Sequence, residues 1–336
     1  MKKKFSIALG FAISAICIYY AMRTIDGNAL KSAIAKIHVW QLALIASIIF
    51  VEFVLRALRW QIILKPANKD ITLKESFKVL SIGFGLNNIL PLRLGELARG
   101  VIGSEKLNVP LPTVLATIVI ERILDMMTIA VIFLISAPYM PGLEFVSKYK
   151  PVVWTMLAAV IVAVAGLVFL DEVLLHSPTA GKMLNRFPRI GKLVKQAAMG
   201  AEALRHPLYA PLILLSGALL WCMDISGYWL TAHFLSVEPA ITVIKAVTLF
   251  CAAVLAVAAP QVPGYFGVFE LTLQKFLVAW GTDPSSAFAF ALLQHLIGFT
   301  LILALGLIFL YQSGSSLGAM WTRLTQRGGD DEKKVS

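Results

Sequence analysis

Apolar residues along this chain come in long blocks, roughly 5–22, 39–55, 113–137, 152–170, 209–236, 242–260 and 285–311. A helix needs about 20 mostly apolar residues to cross the hydrocarbon core of a bilayer, and the blocks approach or exceed that length. Two further segments, about 76–103 and 261–280, are moderately apolar but interrupted by Gly, Pro and charge. They read as broken or re-entrant stretches rather than ordinary spans. The pattern predicts an all-α, polytopic helical membrane protein of about seven to eight spans with two broken segments. The expected division is a membrane domain over 1–312 and a polar, disordered cytoplasmic tail over 313–336.

Composition strengthens this reading. The 336 residues are 58% hydrophobic and only 15% charged, where soluble domains run nearer half apolar and about a quarter charged. No stretch is left for a large soluble catalytic domain. The net charge of +11 raises nucleic acid as a partner. However, the cations lie in short segments between apolar blocks, so anionic headgroups are the expected partner and nucleic acid is not. Cys17, Cys222 and Cys251 all fall inside apolar blocks without CxxC spacing, which argues against a disulfide framework or a zinc site. The basic start MKKK resembles a signal peptide, but the apolar run from Phe5 to Met22 exceeds the usual 7–15 residues, so an uncleaved first span is expected.

Lys and Arg placement sets the orientation. With the N-terminus inside, the cytoplasmic stretches hold three basic residues before the first span, nine in 56–112, six in 171–208 and four in 312–336, against five outside. Both ends are then cytoplasmic, with seven full crossings and one short one after Gly267. The 171–208 connection reads either as an amphipathic segment whose Lys182, Arg186, Arg189, Lys192 and Lys195 meet lipid phosphates, or as an ordinary solvated loop.

The candidate chemistry lies in charges that apolar segments retain, each costing about 2.5–3.5 kcal/mol at a helix centre. In NNILPLRLGELARG (87–100), Pro91 and Gly95 break the backbone. Asn87, Asn88, Arg93 and Arg99 could bind phosphate there, while Glu96 pairs an arginine or meets a cationic headgroup. A loop with a structural Arg–Glu pair is the alternative. In TIVIERILDMM (117–127), Glu121 and Asp125 share a helix face and Arg122 lies three residues before Asp125. This cluster is either a structural network or a titratable group in a substrate path. In AAPQVPGYFGVFELTLQKF (258–276), Pro260, Pro263, Gly264 and Gly267 break the chain again and Glu270 follows one turn later. Paired broken segments, one in each half, point to a site between internal, inverted repeats. Asp224, His233, Lys245 and His295 stand singly in or near spans, where a structural role is expected; the alternative is that His295 and Gln294 line a cavity and Lys245 reaches to the outer interface.

NNILPLRLGELAR, ERILD and PGYFGVFE, in this order among apolar spans, resemble the lysylphosphatidylglycerol synthase transmembrane-region family, also called the flippase-like domain family. The resemblance covers about residues 5–311. It implies a domain that moves a lipid between leaflets; in bifunctional relatives a further cytosolic domain performs aminoacyl transfer. The chain ends some 25 residues after its last span, so that half is expected to be absent, which argues against lysyl transfer. The leading expectation is a cytoplasmic-membrane transporter of a phosphate-bearing lipid, aminoacylated or polyprenyl among the options, without cofactor or metal. An embedded enzyme with Glu121 or Asp125 as base, and a partner subunit of a separate synthase or glycosyltransferase, are the alternatives. A homo-oligomer is left open.

Overall fold

The computed structural model of the protein describes residues 2–90, 94–139, 188–258 and 263–314, with short helical stretches between 151 and 166. The described residues are helical and contain no strand. After α1 (Lys2–Met22) and the short α2 (Gly27–Ile34) come four helices: α3 (Val39–Leu64), α4 (Leu73–Ile89), α5 (Leu94–Leu107) and α6 (Leu111–Ser136). Then α7 (Pro188–Ala201) precedes a second set of four: α8 (Tyr209–Phe234), α9 (Val243–Ala258), α10 (Val268–Ala279) and α11 (Pro284–Gln312). By length and composition α3, α8 and α11 can each cross a membrane. α6 is as long as α3, but three charged residues interrupt its apolar run. Large apolar side chains such as Leu58, Val119, Ile135, Leu215 and Leu255 face outward, as lipid contact requires.

The two sets repeat one length pattern. In the first, helices of 26, 17, 14 and 26 residues follow each other, and in the second, helices of 26, 16, 12 and 29. At 1.5 Å per residue the outer helices reach about 39 Å or more, while the inner ones reach only about 18–25 Å. The inner ones fall short of the roughly 30 Å hydrocarbon core. Each set therefore holds a short pair between two long helices, and the two broken segments of the sequence are the breaks within these pairs. The segment 242–260, expected as a full span, supplies α9, the first arm of such a pair.

Each set has its own apolar core, and the two cores interlock. Phe53, Trp60, Leu80, Ile102 and Ile118 fill the first, together with Leu310 from α11. Trp221, Phe250, Leu273 and Phe290 fill the second, against Ile129 and Phe133 of α6. So α4 packs on α11 and α9 meets α6, while the first helices, α3 and α8, pack together. The first arm of each short pair thus meets the last helix of the other set.

α4 and α5 run antiparallel in close contact. A Cβ on Gly95 would stand 2.2 Å from the Gly83 carbonyl oxygen and 2.4 Å from the Asn87 nitrogen, so only glycine permits this approach. Thr72 starts α4 with a capping box: the Glu75 N–H donates to Thr72 Oγ1 at 3.2 Å and the Thr72 N–H donates to a Glu75 oxygen at 2.9 Å. In the second break Gly264, Tyr265 and Gly267 take positive φ values of 75°, 58° and 87°. α1 closes over this break, with the Ser14 hydroxyl donating to the Phe266 carbonyl. In the basic connection 171–208, α7 is helical and packs against α6, while Lys182 and Arg186 lie outside the described residues, as does the tail from 315 onward.

Candidate functional site

α3 does not end where its apolar block ends. It continues through Leu64 and carries Glu52, Arg56 and Arg59 on one face at spacings of four and three. That face meets the charged face of α6. Arg59 Nη2 donates to Asp125 at 2.7 Å and stands 3.4 Å from Glu121. Arg99, from α5, donates to the other Glu121 oxygen at 2.8 Å. Its guanidinium stacks on the Trp60 ring at 3.9 Å from the centroid. Glu121 is thus fully buried between two arginines. A buried charge is tolerated when it is paired in this way, and is costly otherwise.

Nearby the pairing loosens. Arg56 donates to Glu52 at 2.6 Å, but its Nη2 is 3.4 Å from Asp224 of α8 and its Nη1 is 3.9 Å from Asp125. Arg122 lies 3.6 Å from Glu96, 3.8 Å from Glu121 and 3.7 Å from Asp125. Arg122 and Asp224 also keep side-chain exposures of 30% and 28%, whereas Arg56 keeps 6%. This half of the network borders a cavity of about 310 Å³. Glu52, Arg56, Arg122 and Asp224 form its ionic wall, and Phe84, Trp221, Tyr228 and Phe299 much of its aromatic one.

The opposite wall holds a second polar centre. Glu270 lies in the first turn of α10, where one oxygen accepts the Gly267 N–H at 2.6 Å and the other faces His295 Nδ1 at 2.6 Å. The start of α10 suits a carboxylate there. A Cβ on Gly267 would strike the Ser14 carbonyl at 2.6 Å, so glycine is needed for both its φ and its neighbour. Gln294, which accepts from the Thr231 hydroxyl at 2.8 Å, and Asn88 line the cavity beside His295.

The residues singled out in sequence are therefore distributed over three settings. Arg99, Glu121 and Asp125 sit in the buried network, Glu96 and Arg122 at its partly exposed edge, and Asn88 and Arg122 on the cavity. Asn87 backs onto Gly95 in the α4–α5 contact. Gly264, Gly267 and Glu270 shape the second break with Pro263. Pro91 and Arg93 lie outside the described residues. The residues that sequence reasoning missed are Glu52, Arg56 and Arg59. Placed at the edge of an apolar block, Arg56 and Arg59 had counted as loop cations. Their signal was the stripe 52–56–59, which a helix continuing past residue 55 to Leu64 puts on one face. Asp224 stands alone in its span and gains its partner from another helix, whereas His295 and Gln294 line the cavity as the sequence alternative has it, with His295 paired to Glu270 of α10. Among the described residues no cluster of His, Cys, Asp and Glu could hold a metal ion.

Several archaeal proteins resemble the chain. A UPF0104 membrane protein of Methanothermobacter thermautotrophicus is 24% identical, aligned over 94% of this chain and 98% of its own. Another from Pyrococcus horikoshii is 23% identical over 91% and 96%. One from Methanocaldococcus jannaschii is 25% identical over 67% and 93%. No solved structure matches the chain significantly. The family described as Lysylphosphatidylglycerol synthase TM region matches residues 7–306. That match takes in both four-helix sets and the cavity between them, so the protein is a multi-pass helical membrane protein that belongs to this family.

Proposed function

We infer that the protein moves a phosphate-bearing lipid between the leaflets of the cytoplasmic membrane, with the headgroup passing through the cavity. The observation that carries this reading is the cavity wall itself. It combines a partly exposed, loosely paired Arg122 with aromatic surface, inside a bundle whose outer face is apolar. A guanidinium whose pairs are all longer than 3.5 Å can exchange them for phosphate oxygens at low cost. Asp224 offers the complementary contact to a cationic headgroup, such as an aminoacyl ester. Arg99 and Glu121 act in this reading as the scaffold that holds α3, α5 and α6 in place.

Both termini lie on the cytoplasmic side. Three of the nine cations in 56–112 are buried (Arg56, Arg59 and Arg99), and setting them aside leaves the basic excess on the same side. The enzyme alternative draws less support, because Glu121 has no exposed surface and both its oxygens face guanidinium groups. A separate synthase or glycosyltransferase would act as a partner supplying the lipid.

The test is exchange of headgroup-labelled phospholipids in vesicles carrying the purified protein. A charge-assisted hydrogen bond contributes about 1.5–3 kcal/mol, so Arg122→Ala should slow exchange about tenfold or more. Exchange at the wild-type rate in Arg122→Ala, at equal incorporation, would sink the reading.

A further inference from the structure

Glu270 and His295 form a polar pair that the ionic network does not use. Gly267 occupies one Glu270 oxygen and His295 Nδ1 the other. A neutral ring that donates its Nδ1–H to an ionised Glu270, which can only accept, presents Nε2 as an acceptor. His295 lines the cavity, and no described residue hydrogen-bonds its Nε2. Phe266, Phe269 and Phe299 surround the ring with centroids 4.6, 4.7 and 6.0 Å away, which fixes its orientation.

The charges around the cavity give this arrangement a use. Facing it are Glu52 and Arg56 from α3, Arg122 from α6, Asp224 and Tyr228 from α8, and Tyr265 from the second break. α4 contributes no charged group, only Phe84 and the neutral Asn88, and α2 meets α11 at Ser285, roughly 15 Å along the helix from His295. The two arginines offset Glu52 and Asp224, so a bound phosphodiester would add an uncompensated negative charge away from bulk water, which is costly. Glu270 with neutral His295 adds another.

We propose that His295, held by Glu270, is the proton-accepting site of the cavity, and that one proton enters with each anionic phosphodiester headgroup. This rests on the lipid-transport reading and adds its counter-charge. The proton leaves water for Nε2, imidazole becomes imidazolium, and the added charge offsets the phosphate. After the headgroup crosses, Nε2 returns the proton to water on the other side. Lipid and proton thus move together and no net charge crosses.

The experiment uses the full chain in vesicles with a pH step imposed across the membrane, following headgroup-labelled phosphatidylglycerol to its final distribution. Wild-type protein should enrich the label in the leaflet facing the alkaline side, beyond vesicles without protein. His295→Asn keeps an amide N–H near the Nδ1 position but cannot titrate, so its final distribution should be even. A bias that persists in His295→Asn, or exchange without bias in the wild type, overturns the proposal. If the wild type exchanges no lipid, the transport reading fails. The site is then judged by nitrogen NMR of labelled histidines, assigned with His295→Asn or, should that variant not fold, His295→Gln. A neutral Nδ1–H ring that gains a proton between about pH 8 and pH 5 supports the site. A ring that keeps one protonation state throughout that range overturns it.

Discussion

At the scale of single residues, burial separates Glu121, closed off in the core, from Arg122 and Asp224, which keep surface on the cavity. Glu121 is fully buried between Arg59 and Arg99, so Glu121→Ala leaves the buried Arg99 guanidinium without a carboxylate partner and Arg59 with Asp125 alone. Breaking a buried pair from one side costs on the order of 3–5 kcal/mol. The expected result is a clearly lower melting midpoint and yield in detergent. Asp224 differs, because the connected cluster sets five carboxylates (Glu52, Glu96, Glu121, Asp125 and Asp224) against four arginines (Arg56, Arg59, Arg99 and Arg122). Its one arginine contact is 3.4 Å long, to a group already held by Glu52. Asp224→Asn should therefore leave the midpoint unchanged or raise it, and a fall as deep as that of Glu121→Ala would contradict this assignment. Glu121 and Asp125 were legible in sequence because an apolar span surrounds them. Arg56 and Arg59 were not, because the apolar block stops at Leu55 while the helix continues to Leu64.

At the scale of elements, two local contacts set the first short pair. Gly95→Ala places a methyl group against the Gly83 carbonyl, and α4 and α5 must separate to admit it. Overpacking of this kind costs about 1–3 kcal/mol, measurable as a lower midpoint with the cavity residues untouched. Removing the α4 cap with Thr72→Ala should cost about 1 kcal/mol. Glu75 completes that cap at the exposed polar start of α4, and the Thr72 N–H and hydroxyl donating to it hold its carboxyl below the ordinary range. A depressed carboxyl contributes stability that is present above its unfolded pKa and lost as pH falls through its folded one. The wild type should therefore lose this small contribution in acid, and Glu75→Gln should flatten that part of the pH profile. Pro and Gly marked both breaks in the sequence, since Pro lacks the N–H that a helix interior needs and Gly adopts positive φ without strain. The shortness of α9 was hidden, because an apolar arm ending in a break reads like the start of a full span.

At the scale of the whole molecule, two sets of four helices exchange supports. α4 rests on α11 and α9 meets α6, so a disturbance at either short pair reaches the other set. The cavity lies where they meet, bounded by α3, α6 and α8 on its ionic side and by α11 and the second break on the other. Lipid exchange should therefore respond to substitutions on both walls. Asn88→Leu, which fills the cavity edge without touching the ionic network, is expected to slow exchange while the melting midpoint holds. Equal exchange rates in Asn88→Leu and wild type would place the headgroup path elsewhere.

The sequence by itself determined the membrane character, the two interrupted segments and the membership of a family, because these depend on composition and on residues close together along the chain. The pairing of the charges was decided only by tertiary structure. Arg99 meets Glu121 across 22 positions, Arg59 meets Asp125 across 66, and Arg56 meets Asp224 across 168. Only the packing of α3, α5, α6 and α8 brings them together. An ion pair needs contact within a few ångströms in a structure that spans tens, so no local pattern could say which charges are paired in the core and which face the cavity. Glu270 shows both halves of this. Its helix-capping role follows from the three residues before it, whereas its contact with His295 exists only because α10 and α11 pack side by side.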